Sequence, residues 1–200
     1  MKARLGILLS GRGSNFEAIA RNVLGGRLPC EIGLVFSNKP EAAGLQLARN
    51  LGLPHASIKS SGVERTAFDA QVAELLKKHQ IDWVCLAGYM RLLSGAFVSQ
   101  FAGRILNIHP SLLPAFPGLD AQYQALAHGA KITGCTVHFV DENLDSGPIL
   151  LQAAVPVLDN DSVGSLSARI LVEEHKIYSE AIAWVLRGNY RTEGRRVLKT

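Results

Sequence analysis

Ala3-Arg4-Leu5-Gly6-Ile7-Leu8-Leu9-Ser10-Gly11-Arg12-Gly13-Ser14-Asn15-Phe16 is an apolar run, a glycine-punctuated turn and the start of a helical pattern. A run apolar at nearly every position suits a strand buried on both faces, as in a parallel sheet, rather than a half-exposed strand that alternates. The opening Met1–Leu9 faintly resembles a secretory signal. Its apolar core is too short, however, and Gly11-Arg12-Gly13 stands where a small-residue cleavage site would be. It reads as the buried first strand.

Outward from it the same style repeats. Ile32–Phe36 and Trp83–Ala87 read as further buried strands, and Asn15–Leu24, Glu41–Leu51 and Val63–Lys78 as the helices between them. Strand–helix alternation implies parallel strands joined by crossovers in a layered α/β architecture. The second half differs. Arg104–Ile108 reads as a strand feeding a proline-rich loop. Ile132–Val140 and Ile149–Val157 read as an antiparallel pair around the polar segment 141–148. A long helix follows from Ser162 to about Arg187, with Ser162 as N-cap and Leu166, Ile170, Ile177, Ala181 and Trp184 as its apolar stripe. The expected fold is α/β, with a mixed, mostly parallel central sheet. With 200 residues and neither linker nor repeat, one domain over 1–200 is expected.

Composition narrows the function. Hydrophobic residues make up 48% of the chain, as in an ordinary globular protein, and no apolar run approaches a membrane span. The net charge of +4 suits attraction of a small anion. Without a long basic run it argues against nucleic acid, and the tail Arg191–Lys199 reads as solvated surface. Cys30, Cys85 and Cys135 are odd in number, scattered, and set in or beside apolar runs, with no CxxC pair and no His/Cys cluster. Reduced, buried thiols in a cytoplasmic protein without a metal are expected.

The loop Ser10–Asn15 joins strand to helix, where free N–H groups and the helix dipole attract anions. Ser14 is a candidate cap, with Glu17 completing a capping box. A dinucleotide fingerprint needs a glycine where Phe16 stands, and the second strand ends in Ser37-Asn38 without an acid for a ribose. No Gly-Lys-Ser/Thr follows either. NAD and ATP are therefore excluded, and a monophosphate is the expected ligand.

Asn107-Ile108-His109-Pro110-Ser111-Leu112-Leu113-Pro114 leaves a strand for a loop, the position where open α/β sheets bind ligands. Asn107 and His109, two apart, point to one side. An amide and an imidazole aimed into one cleft can stabilise a developing oxyanion. The loop 141–147 carries three acids, and an acid placed beside His109 would favour its imidazolium; a solvated turn is the plain alternative. His138 faces the same cleft or is structural. His55, His79 and His128 read as surface or loop residues, and His175 as core or cleft. Neither a nucleophile elbow nor a cysteine beside a basic motif is present, so direct attack of one bound substrate on another is expected.

These strings, with Val35-Phe36-Ser37-Asn38, Leu86-Ala87-Gly88-Tyr89-Met90-Arg91, Val137-His138-Phe139-Val140 and Asp145-Ser146-Gly147-Pro148, resemble the folate-dependent phosphoribosylglycinamide formyltransferase family over almost the whole chain. The resemblance implies a Rossmann-like three-layer fold and formyl transfer from 10-formyltetrahydrofolate to the amine of glycinamide ribonucleotide, a cytoplasmic step of de novo purine synthesis. It implies Asn107, His109 and Asp145 as catalytic residues, acting through a tetrahedral intermediate, with His138 in possible support. It also implies Gly13, Ser14, Asn15 and Glu174 on the ribonucleotide. Arg65, Met90, Arg91, Leu92, Leu93, Asn107, Val140, Asp141 and Asp145 are implied on the folate. Neither nucleic acid nor membrane is an expected partner, and the chain is expected as a monomer or homodimer.

The rivals share the strings. Methionyl-tRNA formyltransferases are longer and read Gly-Ala-Ala-Pro where this chain has Ala115-Phe116-Pro117-Gly118. Formyltetrahydrofolate hydrolases carry an N-terminal regulatory domain, whereas this chain is expected to start at its catalytic strand. A non-catalytic ribonucleotide or folate sensor is the remaining alternative. Some relatives carry histidines where this chain has Asp120-Ala121-Gln122, so the role of the covering segment 111–131 stays open at this level.

Overall fold

The computed structural model describes residues 2–200. The chain divides into two compact units, 1–106 and 107–200. In the first, β1 (Ala3–Leu9), α1 (Ser14–Leu24), β2 (Cys30–Ser37), α2 (Ala43–Asn50), β3 (His55–Ser57), α3 (Arg65–Lys78), β4 (Trp83–Leu86) and α4 (Gly95–Gln100) follow in order. The strands run β3-β2-β1-β4, and β1 pairs in parallel with both β2 and β4. Leu5, Ile7, Leu8 and Leu9 of β1 are wholly buried. Near-continuous hydrophobicity here does mean burial on both faces, the condition of a strand central in a parallel sheet.

β5 (Ile105–His109) carries the chain from the first unit into the second. The second continues with α5 (Ala121–Ala127), β6 (Ile132–Phe139), β7 (Ile149–Pro156), α6 (Val163–Arg187), β8 (Tyr190–Glu193) and β9 (Arg196–Lys199), its strands ordered β5-β6-β7-β9-β8. β6 and β7 pair antiparallel as expected, β7 and β9 are parallel, and β8 and β9 form an antiparallel hairpin. The architecture is thus α/β with a mixed, mostly parallel sheet. Helix α6 buries Leu166, Ile170, Ile177, Ala181 and Trp184, the stripe read from its period. Ser162 caps it, and Ser162 and Ser165 satisfy each other's backbone N–H groups.

One expectation is corrected. Ser14 does not cap α1. It is the first helical residue, and the cap position is held by Gly13 in the left-handed region (φ 79°), with no side-chain cap bond. The turn from β1 needs a positive φ at position 13, which glycine adopts without the penalty a side chain brings. The supposed capping box is therefore absent, and Glu17 pairs with Arg21 one turn on. The tail Arg191–Lys199 is mostly exposed, in keeping with its reading as surface, and β8 and β9 pair it with β7 through Ile149 and Arg196. Its outer residues remain exposed, so it reads as surface by composition while its backbone is paired.

Candidate active site

Asn107 and His109 sit on the last three residues of β5, and His138 on the neighbouring end of β6. Asp145 comes from the loop between β6 and β7, in a left-handed conformation (φ 47°) that aspartate tolerates better than most residues. Gly147 makes this loop possible. A Cβ there would stand 1.9 Å from the Phe139 carbonyl oxygen, so only glycine lets the loop fold back this closely on β6. Phe139 N–H then donates to the Pro148 carbonyl and closes the loop.

His109 Nδ1 lies 3.3 Å from Asp145 Oδ2, with side-chain exposures of 6% and 9%. Little water screens this pair, so its electrostatics are stronger than at the surface. His109 Nε2 lies 2.9 Å from the Phe116 carbonyl. A carbonyl only accepts, so Nε2 carries a hydrogen. Asp145 Oδ2 also accepts the Gly118 N–H at 2.8 Å, and Asn107 Nδ2 lies 3.5 Å from Oδ1. Asp145 thus has a donor on each oxygen besides facing His109.

His138 differs. Burial pulls its pKa below the ordinary value, against the pull of its Phe139 hydrogen bond and of Asp145. Its Nδ1 donates to the Phe139 carbonyl at 2.8 Å, which leaves Nε2 a bare acceptor for Asn107 Nδ2 at 3.2 Å. The 3.8 Å approach of that Nε2 to Asp145 is therefore no ion pair. His138 thus faces the Asn107 amide through Nε2.

The segment after β5 wraps this cluster. Phe116 (φ 53°), Gly118 (φ 81°) and Asp120 (φ 56°) are all left-handed, and Leu113–Pro114 is cis. Side chains outside the usual region persist only where surrounding contacts hold them. Here the Phe116 carbonyl is held by His109 and the Gly118 N–H by Asp145. Reading side chains missed both groups, since a backbone carbonyl leaves no signature. Only the Pro117-Gly118 turn pair hinted at a sharp bend there.

The remaining expected residues are placed as follows. In the first unit, Gly13 opens α1, Ser14 is half-buried and Asn15 buried. A Cβ on Gly13 would meet Gly44 Cα at 3.0 Å. Arg65 is exposed at the start of α3. Met90 and Leu92 are exposed at 63% and 54%, while Arg91 and Leu93 are half-buried. In the second unit, Glu174 is buried on α6 and Val140 and Asp141 are half-buried beside the Asp145 loop. Among the described residues no group of three or more His, Cys, Asp or Glu side chains is arranged to hold a metal, and no helix is long and apolar enough to cross a membrane.

Comparison with known proteins gives the family. The formyl transferase family model matches residues 3–182. Phosphoribosylglycinamide formyltransferase of Escherichia coli is 45% identical over 186 residues, covering 92% of this chain and 88% of that one. The crystal structure of glycinamide ribonucleotide transformylase 1 from Symbiobacterium toebii superposes with a TM-score of 0.96 at 52% identity, covering 99% of this chain and 94% of that one. The human trifunctional purine biosynthetic protein adenosine-3 is 46% identical over 188 residues, 94% of this chain, which spans 19% of that protein's length.

Proposed function

The chain belongs to the formyl transferase family, and from that membership we propose that it moves the formyl group of 10-formyltetrahydrofolate onto the amine of glycinamide ribonucleotide, a cytoplasmic step of purine synthesis. The observation that carries this reading is the buried His109–Asp145 pair with Asn107 oriented by His138. It is an arrangement for stabilising negative charge on an acyl oxygen and for handling one proton.

The ribonucleotide phosphate is assigned to Gly13, Ser14 and Asn15 at the start of α1, where backbone N–H groups and the helix dipole favour an anion. Glu174 is assigned to its glycinamide end. Arg65, Met90, Arg91, Leu92, Leu93, Asn107, Val140, Asp141 and Asp145 are assigned to the folate. Exposed Met90 and Leu92 offer the apolar surface a flat ring needs.

The amine nitrogen forms its bond to the formyl carbon, the carbon–nitrogen bond to the folate breaks, and a proton passes from the amine to that folate nitrogen. His109 and Asn107 hold the oxygen of the tetrahedral species, and Asp145 keeps His109 charged and orders the water that relays the proton. In the structure the two ring nitrogens of His109 already face Asp145 and the Phe116 carbonyl. The formyl oxygen takes the place of that carbonyl at Nε2, so the Phe116 contact belongs to a resting arrangement.

The test is formyl loss from the folate in the purified protein, with and without glycinamide ribonucleotide. Loss that requires the ribonucleotide supports the transferase. Loss without it makes the protein a hydrolase, and binding of both compounds with no loss makes it a sensor.

A further inference from the structure

Asp69 is a carboxylate only 1% exposed, inside α3, and no Lys or Arg nitrogen comes within ion-pairing distance of it among the described residues. A buried acid without a partner is costly and calls for an explanation. Its Oδ2 accepts the Ser94 backbone N–H at 2.6 Å. Ser94 is the N-cap of α4, and its own hydroxyl accepts the Phe97 N–H. Asp69 thus supplies from another helix the acceptor that a capping box takes from its own first turn.

The rest of its surroundings is unusual. Asp69 Oδ1, the Tyr89 hydroxyl and Arg91 Nε are all buried without a hydrogen-bond partner. Burial, then the charge of Asp69, pushes the Tyr89 phenol up, and Arg91 opposes them. Beside Asp69 on the helix, wholly buried Phe68 carries the Arg91 guanidinium over its ring, 4.5 Å from the centroid.

The segment these groups touch alternates. Tyr89 and Ser94 are buried and Arg91 is turned partly inward, while Met90 and Leu92 face out. It is irregular chain held at two points. Ser10 Oγ accepts the Met90 N–H at 2.8 Å, and Asp69 takes the Ser94 N–H.

We propose that Asp69 is a positioning residue for the formyl-donor site: it clamps the segment Tyr89–Ser94 so that Met90 and Leu92 present a fixed apolar wall and Arg91 stays seated on Phe68. The inference rests on the reading that Met90–Leu93 face the folate, and it adds a residue that does not itself touch substrate. Asp69 acts on the segment through its hydrogen bond to the Ser94 N–H, and Arg91 is carried with the chain that this bond holds.

The test is a cycle of Asp69→Ala, Arg91→Ala and the double variant, with Asp69→Asn beside it, assayed for both substrates and for tetrahydrofolate binding by calorimetry. Alanine removes the acceptor of the Ser94 N–H, and asparagine supplies one again. Asp69→Ala raises KM for the formyl-folate about tenfold and leaves kcat and KM for the ribonucleotide within about twofold, while Asp69→Asn stays near the unaltered protein. The effects of Asp69→Ala and Arg91→Ala are less than additive in the double variant, because residues acting through one another are not additive. Phe68→Leu, which keeps the carboxylate and removes the ring, gives the same selective rise. An unchanged folate KM in Asp69→Ala, a parallel rise in both KM values, no rescue by asparagine, or additive effects in the double variant overturns the proposal. If the unaltered protein binds tetrahydrofolate but transfers no formyl group, the reading of function fails, and weaker tetrahydrofolate binding in Asp69→Ala still supports the clamp.

Discussion

The imidazole of His109 is held from both sides, with Nε2 at 2.9 Å from the Phe116 carbonyl and Nδ1 at 3.3 Å from Asp145 Oδ2. One neighbour can only accept, and the other is a carboxylate. Removing the carboxylate takes away the group that faces Nδ1. Asp145→Ala is expected to lower kcat by about two to four orders of magnitude, with KM for the ribonucleotide changed far less. His109→Ala and Asn107→Ala fall in the same way. Steady-state kinetics with each substrate varied is the measurement, and near-normal turnover in Asp145→Ala sinks the assigned relay.

His138 gives the acid side of stability a definite sign. Burial lowers its pKa in the folded chain, so on acidification the unfolded chain takes up a proton near the ordinary value of 6.5 while the folded chain does not. The unfolded state then binds more protons, and stability is full above that pH and lost as the pH falls below it, by up to about 1.4 kcal/mol per pH unit. Denaturant midpoints between pH 8 and pH 5 should fall more steeply for the unaltered chain than for His138→Asn. Equal slopes would count against a neutral His138.

The fold was legible where burial dictated composition. The strands β1, β2 and β4 and the stripe of α6 are read directly because both require apolar side chains at fixed spacing. Three-residue β3 and six-residue α4 were missed, being too short to set up a period. The β8–β9 hairpin was missed because its exposed faces carry the composition of a solvated tail. In the candidate site, Asn107 and His109 are picked out by type and spacing, and Asp145, one of three acids in its loop, by the family resemblance. Asp69 did not stand out, since one acid within a helical run looks like any surface acid until its burial is known. The Phe116 carbonyl and Gly118 N–H could not stand out, because every residue of that kind has them.

Gly147 sets the loop that carries Asp145. A Cβ there would stand 1.9 Å from the Phe139 carbonyl oxygen and 2.8 Å from its carbon, and both are backbone atoms of a paired strand. No side-chain rotamer can relieve such contacts. Gly147→Ala is expected to cost about 2–4 kcal/mol in urea unfolding and to lower kcat by displacing Asp145 from His109. A fully stable, fully active variant would mean that the loop reaches Asp145 by another path.

The buried thiols fix the alkaline side. Burial raises Cys30 from 9.0 to about 11, and burial aided by Glu174 raises Cys135 from 9.0 to about 12. Thiolate, the reactive form, is therefore scarce in the folded chain at neutral pH, and both sulfurs are shielded besides. A disulfide reagent at pH 8 should label Cys30 and Cys135 only as fast as the protein opens, and promptly in urea. The linkage sign is the reverse of that for His138. The unfolded thiols lose protons as the pH rises through 9.0 while the folded ones keep theirs, so stability is complete below that pH and is lost as the pH climbs toward 11 and 12. Replacing both with alanine should flatten this alkaline fall even where it lowers stability at pH 7. A fall of unchanged slope would assign the alkaline sensitivity to other groups, with the tyrosines next to be examined.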